Sequence, residues 1–184
     1  MLDGGNGDGG GSSDGNSTTS IDATPPCPDG DQDGICDASD PWPCGATQPT
    51  LPAMVSIGSL TSASISNVSI AGDGRVVVVA AGAAITYAAS WTLRDAGFCA
   101  SCPYQLEVGL VSGNRQACLY DANPPQDQTQ SGVATVQMTA PTTPGLYALR
   151  FQIAQDFSCN AFGRSNWWFG PPPAEATFGM LCVR

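Results

Sequence analysis

The chain has no histidine and no lysine. That excludes much hydrolytic machinery, because Ser-His-Asp and Cys-His relays need an imidazole, and Schiff-base or Ser-Lys chemistry needs an amine. No loop of the GxxxxGK kind is present to cradle phosphate. Charge of either sign is scarce: charged residues make up 12% of the chain, about half the usual share. Arg75, Arg94, Arg115, Arg150, Arg164 and Arg184 supply all the basic charge. So few cations cannot neutralise phosphates, which argues against nucleic acid or an anionic lipid surface as partner. Long apolar runs are missing as well. The longest, residues 76–81, has the length of a strand, and no stretch of about 18 apolar residues offers a transmembrane helix. No segment keeps a helical period for three turns. Met1 runs directly into Leu-Asp-Gly-Gly without a signal-peptide pattern. The expectation is an export signal already removed, ahead of a Gly/Ser/Asp tail like the tether of a surface lipoprotein.

What charge there is lies unevenly. Residues 1–50 hold nine Asp and no Arg, a net charge of −9, while residues 51–184 hold seven acids and six Arg, a net charge of −1. An acidic N-terminal third suits a cation as its partner. Eight cysteines, an even number set among Gly, Pro and Asp turns, point to disulfides and to a secreted or cell-surface location. Reduced, buried thiols are the alternative. Cys27, Cys36 and Cys44 precede the apolar sequence; Cys99, Cys102, Cys118, Cys159 and Cys182 lie within it. Both groups are odd, so if all eight pair within the chain, at least one bond must join the two regions. The connectivity itself cannot be read from the spacing. Cys99-Ala-Ser-Cys102 has the spacing of a redox or zinc motif, but its flanks read as strand and turn and no second pair completes a zinc ribbon. Structural disulfides are the better reading.

Three zones follow. Residues 1–24 are Gly, Asp, Ser, Thr and Asn, which cannot offset chain entropy by burial and read as a flexible linker. Residues 25–49 carry three cysteines and an Asp cluster and are too short to own a core. Residues 50–184 alternate short Val, Ile, Thr, Ala and Tyr segments with Gly, Pro, Asn and Asp, the texture of an all-β domain. Period-two sets such as Tyr87-Ala89-Trp91-Leu93, Leu106-Val108-Leu110, Ala134-Val136-Met138 and Tyr147-Leu149-Phe151-Ile153 each send one face inward. The continuous apolar run Val76–Val79 reads as a central strand. Weaker strands are expected at 53–60, 64–70, 115–120 and 176–183. Eight or nine strands predict an antiparallel β-sandwich, with a barrel as the alternative. Pro144-Gly145-Leu146-Tyr147 resembles the entry into a late strand of bacterial immunoglobulin-like and fibronectin-like domains, which implies an immunoglobulin-like sandwich. Trp91 is expected in the core, and Trp42, between two prolines, is expected to pack the acidic segment against the β domain.

The most specific signal is Asp29-Gly30-Asp31-Gln32-Asp33-Gly34-Ile35-Cys36-Asp37-Ala38-Ser39-Asp40. Five carboxylates on one short loop repel one another unless a cation neutralises them. Ca²⁺ suits oxygen-only donors, Gly34 permits the bend, and Ile35 can offer its backbone carbonyl. Mg²⁺ disfavours a flexible multidentate cage, and Zn²⁺ needs S or N ligands. The alternative is an acidic spacer that binds nothing. Residues 27–44 resemble the calcium repeat of thrombospondin type 3 domains, Asp-x-Asp-x-Asp-Gly-x-x-Asp-x-x-Asp, at every fixed position. The resemblance implies Ca²⁺ held by Asp29, Asp31, Asp33, Asp37 and Asp40 with the Ile35 carbonyl. It departs from that family in being a single copy, where such repeats come in arrays.

Residues 160–173 hold Trp167, Trp168 and Phe169 in succession between Gly and Pro. Three adjacent rings cannot all face one side of a strand, so a loop is expected. Two roles fit it: a lid over the end of the sandwich, or a ligand platform on which Arg164, Asn166 and Tyr104 add polar contacts. Seven acids lie outside the first 50 residues: Asp73, Asp95, Glu107, Asp121, Asp127, Asp156 and Glu175. A glycosidase-like carboxylate pair among them remains conceivable, but most read as turn residues, and the expectation is a protein that is not an enzyme. The functional expectation is an exported calcium-binding module whose β head binds or adheres to an extracellular carbohydrate or protein surface. The alternative is a structural spacer or a subunit that assembles with copies of itself.

Overall fold

The computed structural model describes residues 27–96, 102–112, 115–155, 159 and 172–184. The 1–24 linker, Cys99, Asp156 and the Arg164, Asn166, Trp167, Trp168 and Phe169 segment lie outside the described residues. The described residues form nine strands: β1 (Met54–Gly58), β2 (Thr61–Ile70), β3 (Val76–Val79), β4 (Ala84–Asp95), β5 (Tyr104–Leu110), β6 (Arg115–Ala122), β7 (Thr129–Thr139), β8 (Gly145–Ala154) and β9 (Thr177–Val183). A 3-10 turn, Ala174–Ala176, precedes β9. Among the described residues no helix is long and apolar enough to cross a membrane.

The strands form two sheets, ordered β1-β2-β4-β7 and β3-β9-β8-β5-β6. All pairings are antiparallel except β3 with β9. Period two explains the burial. In β4, Tyr87, Ala89, Trp91 and Leu93 are buried, while Ala84, Thr86 and Arg94 are exposed. In β8, Leu149 and Phe151 are fully buried. Both sheets contribute to one apolar cluster, in which Phe178 lies 5.8 Å from Tyr87 across the two sheets and 6.3 Å from Phe151 (ring centroids). Edge-tilted rings at such distances add to area burial.

Local chemistry fixes the turns. Gly58 takes φ +80°, and a Cβ there would meet the Thr61 carbonyl at 2.1 Å, so the β1–β2 hairpin admits only glycine. Asn67 takes φ 49° where the β2–β4 register shifts between Ser66 and Ser69, a bulge that a left-handed Asn tolerates. At the entry to β8 the Tyr147 hydroxyl donates to the Thr143 carbonyl at 2.8 Å.

Two expectations need correction. Val76–Val79 is not central: β3 is an edge strand of its sheet. Its outer edge is met instead by residues before the β domain, where Gln48 Nε2 donates to the Val76 carbonyl at 3.1 Å, so an unbroken apolar run did not need two flanking strands. The second concerns the acids expected in turns. Asp95, Glu107 and Asp121 sit within β4, β5 and β6. Every residue of β5 is buried, polar ones included, and their polar groups are matched: Gln152 Nε2 donates to Glu107 Oε2 at 2.8 Å and Gln105 Nε2 to Asp121 Oδ1 at 3.0 Å.

Candidate metal centre

Asp29, Asp31 and Asp33 alternate along the chain before the bend at Gly34, and each offers a carboxylate oxygen within 4.8 Å of the others. The convergence has a backbone cause. Gln32 adopts φ 62° and Gly34 φ 91°, which coil the segment tightly. Backbone N–H groups freed by that coil are taken up by the carboxylates: Asp33 donates to Asp31 Oδ1 (3.3 Å), Gly34 to Asp29 Oδ2 (3.0 Å) and Ile35 to Asp33 Oδ1 (2.8 Å). Such Asx turns aim short acidic side chains inward. Asp29 Oδ1 is buried and meets no hydrogen-bond donor among the described residues.

The loop is closed and anchored covalently. Cys27 pairs with Cys36, and beside that bond the Asp37 N–H donates to the Pro28 carbonyl (2.9 Å) while Gly30 donates to Asp37 Oδ1 (2.8 Å). Cys44 pairs with Cys182 at the end of β9, so one bond joins the acidic region to the β domain, as the odd counts require. Asp31 Oδ2 accepts from the Gly45 N–H at 2.9 Å, next to that bond, and Arg184 Nη1 donates to the Asp37 carbonyl at 3.4 Å. Asp40 and Trp42 are buried, at 5% and 6% exposure. Asp40 Oδ1 accepts the Trp42 N–H at 2.7 Å. A groove of about 770 Å³ runs between loop and head, lined by Gly30, Asp31 and Asp37 on the one part and Pro144, Gly145 and Leu146 on the other.

Three of the five expected carboxylates, Asp29, Asp31 and Asp33, are therefore brought together. Asp37 braces the base of the loop and Asp40 caps the turn into Trp42; neither falls in the same cluster among the described residues. The Ile35 side chain is exposed at 43%. Tyr104 is buried at 7% exposure and belongs to the core cluster. The places of Asp37 and Asp40 outside the cluster left no distinct mark in the sequence, because an Asp that braces a turn and one that joins the cluster are spelled alike.

The remaining cysteines are consistent with an oxidised protein. Cys118 pairs with Cys159, Cys102 is disulfide-bonded, and no free cysteine occurs among the described residues. Glu107 lies close to Cys118 and Cys159, but a sulfur already in a disulfide carries no thiolate to offer a metal. Comparison with protein-family models, curated proteins and solved structures gives no match to the chain.

Proposed function

We propose that this chain is an exported calcium-binding module, in which residues 27–44 hold Ca²⁺ and stiffen the neck of an immunoglobulin-like sandwich that serves binding or adhesion. The observation that carries it is the convergence of Asp29, Asp31 and Asp33 oxygens within 4.8 Å, in a loop stitched at its base by Cys27–Cys36 and to the head by Cys44–Cys182. A hard divalent cation is the ordinary solution to three clustered oxygens of like charge, and the donor set, all oxygen, suits Ca²⁺. Asp37 and Asp40 complete the acidic repeat that thrombospondin type 3 sequences share. The immunoglobulin-like reading of the head is supported by topology. β2, β4 and β7 stand against β9, β8 and β5, and the chain switches sheets to run β3 parallel to β9. The Tyr147 bond to Thr143, with a separation of 4 residues, has the form of a tyrosine corner. The disulfides are compatible with an extracellular setting.

Calorimetry tests the neck. Ca²⁺ should bind at millimolar concentration or below and raise the melting temperature, by the equivalent of about 2.7 kcal/mol when the ion is at about 100 times its dissociation constant. Asp31→Ala and Asp33→Ala should each remove most of that response, and a wild-type chain that takes up no Ca²⁺ would end the proposal. The proposed carbohydrate-binding residues are Trp167, Trp168 and Phe169 with Arg164 and Asn166. A glycan array probed with the wild type and with W167A/W168A tests it: a carbohydrate ligand gives binding that the double variant loses while keeping its β-type circular dichroism, and an array with no binding removes the carbohydrate reading.

A further inference from the structure

Four strands form the edges of the two sheets: β1, β7, β3 and β6. An edge strand presents unpaired N–H and C=O groups to any passing chain, and proteins blunt that hazard by shortness, charge, proline, bulges or cover. Three of the four edges are blunted in these ways. β1 has only 5 residues, and the carbonyls of Pro52 and Ala53 just before it are taken by the Arg75 guanidinium. β3 has 4 residues, with Gln48 on its Val76 carbonyl. β6 carries Arg115 and Asp121 and has two register shifts against β5.

Among the described residues β7 shows none of these. It runs for 11 residues, Thr-Gln-Ser-Gly-Val-Ala-Thr-Val-Gln-Met-Thr, with no charged residue and no proline. Its register with β4 is unbroken from Ala84↔Thr139 to Arg94↔Thr129. Its solvent-facing side chains, Thr129, Ser131, Val133, Thr135, Gln137 and Thr139, are all exposed, and Val133 reaches 78%. Among the described residues no strand pairs with its outer edge. Gly132 is the weakest β former, and packing explains it: a Cβ there would meet the Trp91 indole at 2.8 Å. The strand is thus long, regular in register and β-prone where natural edges are usually spoiled.

We infer that β7 pairs with β7 of a second copy of this chain, antiparallel and edge to edge, so that two four-stranded sheets continue into one. Charge permits this partner and sets the direction. The strand is neutral, and residues 51–184 carry a net charge of only −1, so two heads meet without repulsion, whereas residues 1–50 carry −9. The C-terminal end of β7 leads through residues 140–143 to Pro144 and Gly145, which border the acidic loop. An antiparallel pair therefore sends the two acidic loops to opposite ends of the dimer, while a parallel pair would set them side by side. A register centred on Ala134 keeps the two outer faces continuous and places each copy's Val133 opposite the other's Thr135, a β-branched cross-strand pair. One strand pair without a new core makes a weak contact, so the dimer forms in the micromolar to millimolar range.

Sedimentation equilibrium on the full chain, with Ca²⁺ and again with chelator, tests this across that concentration range. The wild type should show a monomer–dimer equilibrium under both conditions. V133K/T135K places lysines opposite one another across the new pair and should weaken dimerisation by about tenfold or more. Mixing it with V133E/T135E should restore the pair as a heterodimer. Both positions are exposed, so each variant should melt like the wild type, which separates lost pairing from lost folding. A wild type that stays monomeric throughout, or a V133K/T135K variant that dimerises as tightly as the wild type, overturns the inference. A monomer whose β7 amides are slowed in hydrogen exchange only by an added extended peptide would also overturn it, by giving the edge to a foreign strand.

Discussion

In residues 27–49 only Asp40 and Trp42 are buried, and the backbone is held by carboxylates that accept N–H groups and by two cystines. In the strands that follow, most of the buried set forms one apolar cluster from Val55 to Val183, and the side-chain hydrogen bonds run between strands, as from Gln152 to Glu107 and from Arg150 to Thr177. One chain thus uses two means of order. Burial of apolar area, worth about 25 cal/mol per Å², can hold the head by itself. The neck has too little apolar surface for that, so its order depends on covalent closure and on whatever neutralises its acids. The difference predicts that the neck can fail without the head, whereas the Cys44–Cys182 tie makes failure of the head carry the neck with it.

The largest effect should come from breaking the head. Phe151 and Phe178 are both 0% exposed and pack on each other. Phe151→Ala or Phe178→Ala should cost about 3–5 kcal/mol through lost burial and a residual cavity. Urea unfolding followed by far-ultraviolet circular dichroism reads this directly. Because the neck is tied to β9, it should lose protection in the same transition. A cost below about 1 kcal/mol would mean that the two rings do not form the centre of the core.

Cutting the tie sharpens the comparison. Cys44–Cys182 spans a sequence separation of 138, and a cross-link over so long a loop restrains the unfolded chain by an amount worth about 2–5 kcal/mol. C44A/C182A should lower stability within that range while the β spectrum persists at low temperature. Limited proteolysis should then cut residues 27–49 first and leave the head intact. Simultaneous loss of both regions would show that the neck is an integral part of the head's fold.

The strands were legible because burial and the pleat share one period. Tyr87, Ala89, Trp91 and Leu93 alternate in the sequence and are all inside, and each of the nine expected strand segments overlaps an observed strand. Partnership was not legible. Nothing in Val76–Val79 says that it runs parallel to β9 rather than lying between two neighbours, since a half-buried edge covered by the neck and a central strand both favour four valines. β5 was readable on one face only; Gln105 and Glu107 look like solvent-facing residues until Asp121 and Gln152 are placed beside them. In the neck, the spacing of Asp29, Asp31 and Asp33 pointed to convergence, but it could not separate them from Asp37 and Asp40, which fall outside that cluster among the described residues.

The smallest expected effect is also the most selective for one region. The tyrosines, Tyr87, Tyr104, Tyr120 and Tyr147, are all in the head and none is in the neck. Burial pushes the Tyr87 phenol well above its ordinary value, and burial raises Tyr120 as well. The sign of the consequence follows from linkage. Below about pH 10 the phenol is neutral in both folded and unfolded chains, so it adds no pH dependence. Above that point the unfolded chain sheds the proton while the folded chain keeps it, so stability falls as pH rises, and the loss ends only once the folded pKa is passed. Y87F removes this contribution. At neutral pH it should change stability by less than about 1 kcal/mol, because the hydroxyl has no hydrogen-bond partner among the described residues and the ring's packing on Phe178 is kept. From about pH 10 upward Y87F should outlast the wild type, by a margin that grows by at most about 1.4 kcal/mol per pH unit. Thermal melts of wild type, Y87F and Y120F in alkaline buffers measure that margin, with Y120F reporting the share due to the second phenol. Parallel proteolysis of residues 27–49 should show no Y87F-dependent change until the head itself begins to open. If wild type and Y87F lose stability in parallel through that range, the alkaline sensitivity does not come from the buried Tyr87 phenol.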